Sequence, residues 1–243
     1  MAPFVIILLL LTSCQNSNSE SPIESPAIET CLEEVHEVVE LDYDSLKKSM
    51  DAVRLDFATK VTADRGGTIT AARNYLYETL FYEMLPAWIG TVWDFNGVSE
   101  TPGEGLIACG YYVTTTLKHS GFKLNRYKVA QQAAAVITKT LCQGGDITWF
   151  KYEELESLKT HLSARPNSVY VVGLDYHVGY IVTEGDEIYF MHSSFVDPGV
   201  VVKEKIDDSP VFGSTERWII GDVLASDENI LAWIKGTTFT IIN

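Results

Sequence analysis

The chain predicts an α+β fold, and three features carry that expectation. Apolar residues recur at helical intervals up to residue 162, whereas from Ser168 onward they follow the shorter period of extended strands. Between residues 90 and 105 a series of turn formers, Asp94, Asn96, Gly97, Pro102, Gly103 and Gly105, marks a loop. Helices gathered ahead of a run of strands pack as a layer against an antiparallel sheet. With 46% hydrophobic content, 243 residues suffice for a sizeable core.

The N-terminus stands apart. Residues 4–11 form an apolar run that leads into Leu11-Thr12-Ser13-Cys14. A permanent membrane span takes about 20 residues, so this run suits the apolar core of a cleaved leader instead. Residues 1–14 resemble a bacterial lipoprotein signal peptide with its lipobox, although the leader carries no lysine or arginine. The resemblance implies a lipid on Cys14 and attachment to a bacterial membrane, with the protein in the cell envelope facing the periplasm or the cell surface. Residues 15–40 are then a tether whose first part, rich in Ser, Asn, Glu and Pro, holds too little apolar surface to fold. In a compartment that permits disulfides, Cys31 and Cys142 either pair, leaving Cys109 as a lone thiol, or stay separate as small buried hydrophobes. With 18 basic against 33 acidic residues and a formal charge of −15, nucleic acid is excluded as a partner.

The elements follow in order. Residues 41–60 set Leu46, Met50, Val53 and Phe57 on one helical face, with Asp44-Ser45 placed to cap the start. Residues 68–89 repeat the pattern with Tyr75, Leu76, Leu80 and Met84, and the two helices turn around Asp64-Arg65-Gly66-Gly67. Together they form a helical extension, residues 41–89, ahead of the main domain, residues 90–243. Within that domain helices are expected at residues 109–119, stopped by Gly121, at 129–141, and at 152–162, ended before Pro166. Strands are expected at residues 169–172, 177–183, 187–192, 200–203, 217–223 and 237–242.

Cys109 opens the first helix of that domain, after the turn Gly105-Leu106-Ile107-Ala108. A thiol in a first helical turn meets unpaired N–H groups and the positive end of the helix dipole, both of which favour thiolate. His177 opens a strand that a two-residue turn at Gly185-Asp186 joins to the next. In that register Glu184 faces Glu187, Gly179 faces His192 and His177 faces Ser194, so the two imidazoles are diagonal neighbours on one face. Gly179, lacking a side chain, leaves room for His192 to lean toward His177. His177 is the expected base and His192 its orienter. A slip of one residue would present Ser193 on that face instead. The Cys109 N–H is the expected oxyanion donor, with Trp93 or Asn96 from the preceding loop as the second.

Three segments carry a resemblance: Ala108-Cys109-Gly110-Tyr111-Tyr112-Val113 with its helix running to Phe122, His177-Val178-Gly179-Tyr180-Ile181, and Phe190-Met191-His192-Ser193-Ser194. They resemble the NlpC/P60 peptidases within the papain-like cysteine hydrolases, over residues 88–202. The resemblance implies a papain-like fold with the nucleophile helix packed on an antiparallel sheet. It also implies a Cys-His-His triad that needs neither metal nor cofactor and cleaves amide bonds in peptides or peptidoglycan fragments, often beside D-amino acids. The chain departs from the family at Ala108-Cys109-Gly110-Tyr111, where Asp-Cys-Ser-Gly is usual, and in the two helices between Cys109 and His177. The same residues also admit a lipoprotein that binds peptide without cleaving it, a metal site made of one thiol and two imidazoles, or acyl transfer from a thioester.

Overall fold

The computed structural model describes residues 42–242. The expected lipobox cysteine Cys14, the expected tether at residues 15–40 and Cys31 lie outside the described residues. Helices are α1 (Tyr43–Lys60), α2 (Arg65–Thr79), α3 (Cys109–His119), α4 (Arg126–Ala130), α5 (Ala134–Leu141), α6 (Leu155–Ser163) and α7 (Asp227–Lys235). Strands β1 (Val92–Trp93) and β2 (Leu106–Ile107) form a short parallel pair, as do β3 (Lys123–Leu124) and β10 (Thr238–Phe239). The remaining strands, β4 (Ile147–Lys151), β5 (Val169–Gly173), β6 (Val178–Glu184), β7 (Glu187–Ser193), β8 (Val201–Lys205) and β9 (Arg217–Asp222), make one six-stranded sheet. Its order is β4-β9-β5-β6-β7-β8, with each neighbour antiparallel. The α+β class and the antiparallel sheet are as the sequence predicts.

Both faces of the sheet are covered. On one, Val171, Val178, Tyr180, Val182 and Met191 pack with Leu76 and Leu80 of the first helices and with Tyr112 and Val113 of α3. On the other, Tyr170, Val172, Ile181, Phe190 and Trp218 pack with Leu158 and Leu162 of α6 and with Phe212. Burial from both sides explains why β5 reads as an unbroken apolar run: all five of its residues are buried.

The structure departs from expectation in several places. The helical segment at residues 41–89 is no separate extension, because Leu46, Met50 and Leu76 share one buried cluster with Tyr112 and Tyr180. Trp88 Nε1 donates to the Tyr43 hydroxyl (2.8 Å), which in turn meets His119 Nδ1 (3.0 Å), tying α1 to the end of α3. Gly66 and Gly67 lie inside α2, where the Asp64 carboxylate caps the Gly67 N–H at 2.9 Å. A side chain at Gly67 would collide with that carboxylate. The helix expected at residues 129–141 is broken at residues 131–133. The end of α4 abuts α3 so closely that a Cβ at Gly110 would stand 2.5 Å from the Ala130 carbonyl oxygen, and α5 then turns to lie on β5 and β9. Of residues 237–242 only Thr238–Phe239 form a strand, and it pairs with β3 outside the main sheet. No helix among the described residues is long and apolar enough to cross a membrane.

Candidate active site

Helix α3 begins at Cys109 because Ala108 is extended (φ −83°, ψ 159°), and the Tyr112 N–H closes the first helical bond onto the Ala108 carbonyl at 2.8 Å. Ala108 provides no side-chain cap, so the first N–H groups of the helix lack acceptors within it. Cys109 is partly exposed as a residue, and its thiol sits among such donors. Burial pushes its pKa above the ordinary value, while the N–H groups of Val178, Gly110 and Cys109 itself pull toward thiolate.

The approach to Cys109 is fixed on both sides. Ala108 N–H donates to the Gly97 carbonyl (2.9 Å), and a Cβ at Gly97 would stand 2.5 Å from Ile107 N, so only glycine lets these two segments touch. Buried Arg126 donates through Nε to Thr115 Oγ1 (2.6 Å) and through Nη2 to the carbonyls of Val98 and Ser99 (2.7 Å each). It thereby clamps the loop against α3.

The hairpin of β6 and β7 has the register the sequence predicts. Glu184 pairs with Glu187 and Tyr180 with Met191, and Gly185 takes a positive φ of 58° in the turn. His177 Nε2 and His192 Nδ1 are 2.8 Å apart, both rings are buried, and they stand edge to face at 4.9 Å between centroids. Gly179 makes this possible: a Cβ there would lie 2.8 Å from the Cβ of His192. Burial, and then the charge of His192, hold His177 well below its ordinary pKa. Burial also lowers His192, against the pull of Glu204.

The two imidazoles share the sheet face of Phe190, which stacks on His192 at 4.1 Å. Helix α3 lies against the opposite face. At the end of the sheet, pairing of β6 with β7 stops at Tyr180 and Met191, and the N–H of Val178, the residue after His177, turns toward the sulfur. His177 Nδ1 is buried there without a hydrogen-bond partner, Cys109 included.

The other expected residues fare differently. Ser193 faces α3, not the histidines, and donates to the Ile107 carbonyl at 2.7 Å, so it braces the chain entering Cys109. This follows from the register, which gives His192 and Ser193 opposite faces. Trp93 reaches the histidines only through Phe195, with centroids 6.2 Å from Trp93 to Phe195 and 5.3 Å from Phe195 to His177. Asn96 stands exposed in its turn, lining a shallow depression with Val98, Ser99 and Thr101, and neither Cys109 nor either histidine contributes to that depression.

Glu204 is the residue that sequence reasoning missed. Its Oε1 lies 3.0 Å from His192 Nε2, on β8. His192 pairs with Val202, so Glu204, two residues further on, shares its face. Burial raises the Glu204 pKa, but the hydrogen bonds of His192 and Ser209 outweigh it and leave the carboxyl below its usual range. Strand alternation was the available signal, given the pairing of β7 with β8.

Ring nitrogens that bond one another do not converge on a common point. Among the described residues no group of three His, Cys, Asp or Glu side chains is arranged to hold a metal ion. Cys142 is buried in the core under β9, and its pairing with Cys31 falls outside the described residues. No protein-family model, curated protein or solved structure matches this chain.

Proposed function

We propose that the chain is a papain-like cysteine hydrolase of NlpC/P60 type that cleaves amide bonds in cell-wall peptides, held at the cell envelope through a lipid on Cys14. Cys109 is the nucleophile, His177 the base and His192 its orienter. One observation carries this reading. His177 has one ring nitrogen locked to His192 and the other buried and unpartnered, at the end of the strand whose next N–H, that of Val178, faces the Cys109 sulfur. Leaving a buried acceptor unsatisfied costs about 1–3 kcal/mol, and a proton from the thiol is what this nitrogen can take up.

With the thiol raised and the imidazole lowered, the resting pair is neutral. Reaction therefore begins with proton transfer: the S–H bond breaks as N–H forms at His177 Nδ1, and the sulfur attacks the carbonyl carbon. The developing oxyanion finds the uncapped N–H groups at the start of α3. His177 returns its proton to the leaving amine, and water then releases the acyl group from sulfur. Catalytic hydrogen bonds commonly tighten only when substrate is bound, which accommodates the open Nδ1.

The test uses peptidoglycan fragments and mass spectrometry, comparing wild type with Cys109→Ala, together with iodoacetamide labelling of Cys109 in wild type and His177→Ala. Wild type should cleave where Cys109→Ala does not, and labelling at neutral pH should fall about tenfold or more without the imidazole. Identical digests overturn the peptidoglycan substrate. Equal labelling rates overturn the catalytic pair.

A further inference from the structure

We infer that Glu204 is a positioning residue that decides which nitrogen of each imidazole carries the proton, and so keeps His177 Nδ1 in its proton-accepting form. The inference rests on the hydrolase reading above, which names Cys109 and His177 but assigns Glu204 nothing.

The argument is one of donors and acceptors along a line. Glu204 Oε1 meets His192 Nε2 at 3.0 Å, and His192 Nδ1 meets His177 Nε2 at 2.8 Å. An ionised carboxylate has no hydrogen to donate, so His192 Nε2 must carry one. A neutral imidazole has a single N–H, which leaves His192 Nδ1 bare and able only to accept. His177 must then donate through Nε2, and its remaining nitrogen, the buried and unpartnered Nδ1, is left with a free lone pair. Protonating Glu204 would reverse every donor in the line and place a hydrogen on His177 Nδ1, where it could no longer accept one from the thiol. Stacking of Phe190 on His192, with ring planes 16° apart, prevents the ring from turning to escape this assignment.

The same line handles the proton once it has moved. As the Cys109 S–H bond breaks and N–H forms at His177 Nδ1, the Nε2–H of His177 can pass to His192 Nδ1. No electrons are gained or lost. The positive charge then rests on His192, beside the Glu204 carboxylate. His192 and the Ser209 hydroxyl are the groups that bear on Glu204, and His192 is the charged group that bears on His177. Burial alone would raise the Glu204 carboxyl, yet its balance lies on the ionised side.

The experiment compares wild type with Glu204→Gln and Glu204→Leu by two readouts. Long-range proton–nitrogen spectra of the imidazoles report tautomers in the resting protein, and iodoacetamide labelling of Cys109 is followed from acid to mildly alkaline pH. Wild type should show both His177 and His192 as Nε2–H tautomers, and Glu204→Leu should lose that single assignment. Glu204→Gln has the same size, but its amide donates as readily as it accepts and carries no charge, so it neither dictates the tautomers nor holds an imidazolium. Its thermal midpoint should stay near wild type while labelling at neutral pH falls about tenfold or more, as expected when an opposite charge is removed from beside a titrating ring. A purely packing role leaves the Glu204→Gln pH profile unchanged, and that result, or wild-type tautomers in Glu204→Leu, overturns the inference. If wild type labels no faster than His177→Ala, the hydrolase reading fails, while the spectra still decide the role of Glu204.

Discussion

Replacing Gly179 with alanine should part the two histidines. Gly→Ala in extended backbone ordinarily stabilises by about 0.4–1 kcal/mol, because the unfolded chain loses freedom. Here the new Cβ would lie 2.7 Å from Phe190 Cε2, 2.8 Å from His192 Cβ and 2.9 Å from the Met191 carbonyl oxygen, where ordinary contact begins at 3.4 Å. Each contact is short by half an ångström or more. Two of the three atoms belong to the backbone of β7 or are bonded directly to it, so no flexible side chain can swing aside. Strand β7 must retreat from β6, and a 2.8 Å bond between the imidazoles lengthened by that amount leaves hydrogen-bond range. Overpacking of this kind costs about 1–3 kcal/mol, or about 2–4 °C in thermal midpoint for each kcal/mol in a chain of this size. Gly213→Ala is the control, since nothing lies within 4 Å of a Cβ there. Thermal unfolding followed by circular dichroism should show Gly179→Ala melting lower and Gly213→Ala melting at or a little above wild type, with iodoacetamide labelling of Cys109 reduced only in the first. A Gly179→Ala protein that melts and labels like wild type would refute the claim that close strand approach holds the histidine pair.

Further outcomes follow from other contacts. Arg126→Met strands the acceptors of Val98, Ser99 and Thr115 and should cost about 2 kcal/mol or more in urea denaturation. Arg126→Lys should recover only part, since a point charge cannot span the three acceptors. Ser193→Ala removes the bond to the Ile107 carbonyl and should cost about 1 kcal/mol, but the hydroxyl lies on the face away from the imidazoles, so the pH profile of Cys109 labelling should not move. Burial, helped by Lys47 and Lys118, lowers the pKa of His119 to about 4. Below the ordinary histidine value of about 6.5 the unfolded chain binds a proton that the folded chain refuses, so stability must fall as pH drops from there toward the folded value. Thermal midpoints across that window should therefore decline more steeply in wild type than in His119→Gln, and parallel curves would contradict the assignment.

Much of the site was legible because a few residues fix geometry tightly. The two-residue turn at Gly185-Asp186 admits one register, and that register alone puts His177, Gly179 and His192 on one face. Cys109 was legible as a helix start because small residues precede it and the helical period begins there. Glu204 was not, because the connection between β7 and β8 is a longer loop, residues 194–200, that leaves strand pairing open where a tight turn would not. Strand β4 was missed because it is an edge strand of five residues with Trp149 half exposed, which weakens its alternation. Helix α7 was missed although it carries its own signals, Ser226 capping the N–H groups of Glu228 and Asn229, and Gly236 in the left-handed conformation at its end. For α1 and α2 periodicity revealed the helices but not what they bury against, and a shared core and a separate extension have the same pattern.

The arrangement of the site follows from where one ladder stops. Leu174 N–H donates to the His177 carbonyl at 2.8 Å, which turns the polar groups of His177 toward β5 and those of Val178 toward β7. In the hairpin register Val178 lies opposite Ser193, and a continued ladder would bind the Val178 N–H there. Pairing instead ends at Tyr180 and Met191, the Ser193 hydroxyl is committed to Ile107, and the released N–H faces the Cys109 sulfur. The opening lies between Cys109, carried on one face of the sheet, and the two imidazoles, carried on the other. It also leaves the sulfur with backbone donors that favour thiolate but do not outweigh burial, so at rest the thiol keeps its proton. On the proposed hydrolase reading, reactivity then depends on the acceptor at His177 Nδ1 more than on any standing thiolate. Substitutions along the line from His177 to Glu204 should therefore alter the chemistry of Cys109 without touching it.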